Sequence, residues 1–380
     1  MKLTVIGLFA ALLMIAPHTI IAQESTDEPE DESLVLLWEQ IAAQPQDAAI
    51  GCIPLNDPAG AVLYNADERF PLASVTKLLI FIEYARRIDL GMISRDAMVD
   101  VSTLDRYNLP RTDRGAYDRF MAQYPDDIEQ ISLWEVAVGM IQYSSNAASD
   151  YLLDLLEPVD WDALYRILSL TSTDAPHSLT MIPLLMNNHD TGNASMDDVA
   201  ALSVELGETY LDWYVQDEDW REAEIAYRGQ RGRQFPAWDV QTAILEQVTA
   251  SGTVRDFLAV LTTIYSYDNR LSEHVKSMVR GAMRWRENAF INDEYFEYGS
   301  KLGFYSGGTL TLVAYGYPYG GVPVISATFL RDIPRNRYNR LLELDSIGNF
   351  AHWMNFNGCA ELTDSLESRV DFPAALDQSR

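Results

Sequence analysis

"FPLASVTKLLIFIEY", residues 70–84, places Ser74 three residues before Lys77, where a polar stretch gives way to an apolar run. The run continues to about Asp89 and is long enough for a buried helix, with Ser74 in its first turn. Residues three apart share a helix face, so the spacing predicts that the Lys77 ammonium reaches the Ser74 hydroxyl. A serine hydroxyl is a poor nucleophile until its proton is removed, and a lysine whose pKa is lowered by burial and neighbouring cations can remove it. The free N–H groups at a helix start favour a developing oxyanion. The same spacing also arises by chance at ordinary helix starts, so the rest of the chain decides between chemistry and packing.

Lysine usage favours chemistry. The 380-residue chain has 28 basic residues, yet lysine occurs only at Lys2, Lys77, Lys276 and Lys301. Arginine supplies nearly all the generic positive charge, and arginine cannot give up its proton to act as a base. Lys301 lies in "YGSKLGFYSGG", at the start of a strand where Gly303 would let a bound acyl group approach the backbone. Between the two lysines, "YSSN" sets Ser144, Ser145 and Asn146 in a break between helical patterns. The expected site is therefore one serine approached by a second hydroxyl, a carboxamide and two ammonium groups.

Around this centre, "SLVLLWEQIAA" has helical apolar spacing, and "AAIGCIPLN" and "GAVLYNA" read as two strands around the turn "DPAG". "ISLWEVAVGMIQ" opens with Ser132 and Glu135 at capping-box spacing and starts another helix. "GTLTLVAYGYPYGGVPVISATFL" reads as a hairpin, and "YNRLLELDSIGNFAHWMN" as a helical pattern that ends at Gly358. Strands at both ends with helices between them predict an α/β (α+β) three-layer sandwich.

Residues 1–22 read as a secretory signal peptide, which predicts export to a periplasmic or extracellular space and no stable membrane insertion after cleavage. Residues 23–33, with six acids, read as a flexible leader. One catalytic domain over 34–365 follows, carrying an insertion at about 206–248, then a tail over 366–380. The tryptophans of the insertion read as packing residues. A net charge of −28 repels nucleic acid, so no nucleic-acid partner is expected. The five histidines show no metal-ligand spacing, and no metal or cofactor is inferred. Cys52 and Cys359 could bridge in an exported chain, but two buried thiols are the favoured reading, because nothing in the sequence brings them together.

The order Ser-x-x-Lys, Ser-x-Asn, Lys-x-Gly resembles the motif set of class A β-lactamases and penicillin-binding proteins. "IGCIPLNDPAGAVLYNADERFPLASVTK", "ISLWEVAVGMIQYSSNAASDYLL" and "RNRYNRLLELDSIGNFAHW" resemble the corresponding family segments. The resemblance implies an antiparallel sheet flanked by helices with an all-helical lobe beside it. It implies Ser74 as nucleophile, Lys77 as proton acceptor and Ser144 as proton relay, with Asn146 and Lys301 binding substrate. The backbone N–H groups of Ser74 and Phe304 would form the oxyanion hole, and Tyr107 a wall of the cleft. The partner it implies is a small-molecule β-lactam or a cell-wall peptide. The activity would be β-lactam hydrolysis, peptidoglycan DD-peptidase action, or sensing by a chain that stays acylated.

Two positions depart from that family. No glutamate occurs between Pro158 and Val204, where the family carries the residue that activates the deacylating water; Asp174, Glu205 and Glu208 are the expected substitutes. Leu302 stands where the family usually has a hydroxyl residue that helps bind the substrate carboxylate.

Overall fold

Alternate side chains of the strand Ala48–Pro54 (β1) enter two different cores, which makes it a central strand of a sheet covered on both faces. The computed structural model describes residues 31–231, 235–285 and 289–369. The signal peptide, most of the acidic leader and residues 370–380 lie outside the described residues.

With Val62–Tyr64 (β2), Tyr295–Tyr305 (β3), Thr309–Pro318 (β4) and Val324–Leu330 (β5), β1 forms a five-stranded antiparallel sheet of order β2-β1-β5-β4-β3. Ile50, Cys52, Leu310, Leu312 and Leu330 point into one core with the helices Glu32–Ala43, Ser346–Asn357 and Cys359–Arg369. Ala49, Val313, Ile325, Ala327 and Phe329 point into the other, with the helix Val254–Tyr265. A Cβ at Gly51 would lie 2.4 Å from Leu258 Cδ1 and 2.7 Å from Val254 Cγ1, so glycine sets how closely that helix approaches the sheet. This second core continues into a helical lobe built on Lys77–Asp89, Leu133–Gln142 and Asn146–Leu156.

The helix Lys77–Asp89 is buried on every side from Lys77 to Ala85, which matches its unbroken apolar run. Ser132 and Glu135 close the expected capping box. Several boundaries differ. The first helix starts at Glu32, inside the stretch read as leader, and Ser33 is buried. The tail read from 366 belongs to the helix Cys359–Arg369, whose Leu366 is fully buried. Lys301 lies on a strand of its own, the edge strand β3, so the expected hairpin is the inner part of a three-stranded meander. Cys52 and Cys359 are bonded, with Cα atoms 5.5 Å apart. The final helix, unseen in the sequence pattern, carries Cys359 back over β1, which is why the reading as two thiols fails.

The insertion is helical: Val204–Gln216, Glu218–Arg231 and Trp238–Val248. Trp220 packs against the His189 ring at 4.6 Å, and the Trp238 indole donates to the Ile333 carbonyl. Arg228 donates to the carbonyls of Pro183 and Asn187 and to Glu224, which is fully buried. The insertion thus braces the short helix Met181–Met186. Among the described residues no helix is long and apolar enough to cross a membrane.

Candidate active site

The nucleophile candidate sits in a tight turn that is not yet α-helix. Ala73–Thr76 is a 3-10 segment, and the α-helix begins at Lys77. Ala73, just before Ser74, has φ +47°, a left-handed conformation that costs a non-glycine residue about 1–3 kcal/mol. The turn is wedged against the edge strand β3. A Cβ at Gly303 would fall 2.8 Å from the Ser74 nitrogen and 2.5 Å from Thr311 Oγ1. Gly303 therefore serves the approach of the Ser74 backbone to β3, a reason for glycine that the sequence did not show. The consequence is that the Ser74 amide and the Phe304 backbone are neighbours.

Lys77 is fully buried. Its Nζ donates to the Ser144 carbonyl at 2.6 Å and to Asn146 Oδ1 at 2.8 Å, with Ser144 Oγ at 3.4 Å. Lys301, 3% exposed, donates to Ser144 Oγ at 2.9 Å and to its neighbour's carbonyl at Leu302. Ser144 has φ +64°, and this left-handed turn aims both its carbonyl and its hydroxyl at lysines. Among the described residues the Ser74 hydroxyl makes no hydrogen bond, so the expected Ser74–Lys77 contact is absent at rest.

Burial pushes the Lys77 amine down to about 7, against the pull of the Asp150 and Asp113 carboxylates. Burial, and then the Lys77 charge, hold Lys301 well below the ordinary lysine range. Asp150, one helical turn after Asn146, is pushed up to about 6 by burial, while N–H groups of Leu179 and Thr180 donate to it. A neutral Lys77 has two N–H donors, and the short bonds to Ser144 O and Asn146 Oδ1 use both. Its lone pair is then left for a proton from Ser74, three residues away on the same turn.

Ser74, Ser144, Asn146 and Phe304 line one notch of about 100 Å³. Its far wall is apolar: Leu179, Ile182, Pro183 and Met186, from the loop and short helix that follow the Ser-x-Asn helix. Among the described residues the only carboxylate lining it is Asp113, whose oxygens accept the N–H groups of Gly115, Ala116 and Tyr117.

This order of a nucleophile turn, a relay loop and an edge strand recurs in known proteins. The sequence matches the family described as Beta-lactamase enzyme family over residues 37–288. The chain belongs to that family. A β-lactamase from Sphaerobacter thermophilus shares 14% identity, with 89% of this chain and 97% of that one covered at a TM-score of 0.52. An ancestral class A β-lactamase covers 84% of this chain and 100% of its own at 15% identity and a TM-score of 0.50. A β-lactamase from Chitinophaga pinensis has the same coverages, identity and TM-score. These likenesses carry the fold: a β-lactamase-type sandwich with its helical lobe. No curated protein matches the chain.

Within this β-lactamase fold, Ser74, Lys77, Ser144, Asn146 and Lys301 converge. Tyr107 does not join them. It is buried, its hydroxyl donates to Asp154 at 2.8 Å and its ring meets Tyr151 edge-on, because that partner draws it into the lobe. The cleft wall comes instead from Thr112, Asp113 and Ala116, farther along the same segment. None of the expected substitutes for the missing glutamate lines the notch. Asp174 pairs with Arg69 and accepts the Ser251 N–H, Glu208 is held by Ser178, and Glu205 is exposed in the first turn of its helix. Sequence reading missed Asp150, although its i+4 spacing from Asn146 on the same helix face was a usable signal.

Proposed function

We propose that this chain is an exported serine hydrolase that forms an acyl-enzyme at Ser74 and acts on β-lactams, with deacylation as its slow step. The observation that carries the reading is the buried contact of both Lys77 and Lys301 with Ser144. Neutral Lys77 takes the Ser74 proton as Oγ attacks the lactam carbonyl. The Ser74 and Phe304 N–H groups stabilise the oxyanion, the C–N bond breaks, and Ser144 protonates the departing nitrogen. Ser144 is reprotonated through the two lysines that donate to it. Asn146 binds the acyl side, and Lys301 attracts the substrate carboxylate.

The apolar wall of Leu179, Ile182, Pro183 and Met186 favours a long-lived ester, because the one carboxylate lining the notch among the described residues, Asp113, stands outside that wall and is engaged by three backbone N–H groups. The same feature favours a second reading, a sensor of β-lactams or cell-wall peptides that stays acylated. Incubating the protein with benzylpenicillin and measuring the intact mass tests acylation. The expected result is one adduct on the wild type and none on Ser74→Ala; an adduct on Ser74→Ala would refute the nucleophile.

A further inference from the structure

A second, larger cavity of about 780 Å³ adjoins the notch and shares Arg119, Tyr143, Ser144 and Phe304 with it. It includes Lys301 and Leu302 but neither Ser74 nor Asn146. The groups around a reacting carbonyl thus divide into two sides, with the nucleophile and the acyl-side amide in the notch and the proton donor Ser144 at the junction. What lies beyond Ser144 is the leaving-group side. Its volume is that of a ligand site, which spans roughly 300–1,000 Å³, whereas the notch holds little more than the reacting atoms.

The lining is unusual for this chain. Acids outnumber bases by 56 to 28 overall, yet among the described residues the cavity is lined by Arg119, Arg284 and Lys301 and by no acid. Among the described residues neither Arg119 nor Arg284 pairs with a carboxylate; the one side-chain bond of Arg119 is to the Arg114 carbonyl. Trp134 and Trp285 supply aromatic faces, and Trp285 is 42% exposed beside Arg284. Leu302 adds apolar surface where a hydroxyl would hold a small carboxylate in place. Cations without counter-ions beside aromatic rings suit an anion that carries an apolar or aromatic body.

We propose that this cavity is a leaving-group subsite, and that the preferred acyl donors expel a bulky, aromatic carboxylate rather than a small one. The inference rests on acylation at Ser74. In the step concerned, Ser74 Oγ forms the new ester, the bond from the acyl carbon to the leaving oxygen or nitrogen breaks, and Ser144 gives that atom its proton. Arg284 and Arg119 would hold the carboxylate of the departing group and Trp285 its ring.

Two acyclic esters of phenylacetylglycine, one of lactate and one of 3-phenyllactate, test this with leaving groups of similar basicity. Leaving-group release in the first turnover should be about tenfold faster for the phenyllactate ester, the discrimination one well-buried hydrophobic group provides. Trp285→Ala should bring that ratio close to one. Arg284→Gln should slow both acids relative to the corresponding methyl-capped esters. Equal rates for the two esters in the wild type, or a ratio unchanged in Trp285→Ala, would overturn the subsite. If penicillin labels Ser74 while the ratio is one, only the subsite falls. If neither penicillin nor the esters acylate Ser74, the acylation reading falls and takes the subsite with it.

Discussion

On one side of Ser74 stand Lys77, Ser144, Asn146 and Lys301, joined by hydrogen bonds, with both lysines buried; on the other stand Leu179, Ile182, Pro183 and Met186, with no base among them. The two walls come from different constraints. The polar wall is built on a helix start, an interhelical break and an edge strand, where strained backbone at Ala73 and Ser144 aims individual groups. The apolar wall is a loop and one short helix braced by the insertion through Arg228 and Glu224. On the proposed function, forming an ester and clearing it are separable tasks, and this cleft is furnished for the first.

The largest effect should come from the polar wall. Lys77→Arg keeps the charge but cannot accept the proton, so acylation by penicillin should fall about 10²–10⁴-fold, as far as in Lys77→Ala. Stopped-flow labelling of the two variants checks this, and an arginine variant close to wild type would mean that charge alone matters there. Gly303→Ala should cost roughly 10–100-fold in the same assay, since a methyl group meeting the Ser74 nitrogen forces the oxyanion amides apart.

A carboxylate grafted onto the apolar wall should erase part of the contrast. Leu179→Glu or Ile182→Glu should speed loss of the acyl group by about tenfold or more while leaving acylation within a few-fold, given that a positioned base contributes roughly 10²–10⁴-fold. Unchanged deacylation in both would mean that a missing base is not the limit. The pH dependence is smaller and has a defined sign. Only unprotonated Lys77 is a base, so acylation should climb with pH and level off above about 7. A rate flat from acid to alkaline pH would remove Lys77 from the role. The smallest effect is expected of the double variant Asp174→Asn, Glu205→Gln, whose nitrocefin turnover should match the wild type because neither carboxylate lines the notch.

Much of the sheet was legible because strands buried on both faces read as continuous apolar runs, and the convergence of Lys77 and Lys301 on Ser144 because lysine is so rare here. Tyr107 misled because a tyrosine after a turn carries no mark of whether its hydroxyl finds water or Asp154. The Cys52–Cys359 bridge was illegible for a related reason: residues 307 apart meet only through a helix whose pattern is weakly apolar. The apolar wall was visible only as an absence, a stretch without glutamate. Arg284 and Trp285 carry no mark in the sequence of the cavity that they line together with Ser144.

The most direct test of the contrast is intact-mass spectrometry of the wild-type protein after a short pulse of benzylpenicillin, followed by removal of free drug. The account predicts an adduct of one penicillin on Ser74 that forms quickly and then persists through many multiples of the acylation time. An adduct that vanishes as fast as it forms, with free penicilloate accumulating over many turnovers, would contradict it.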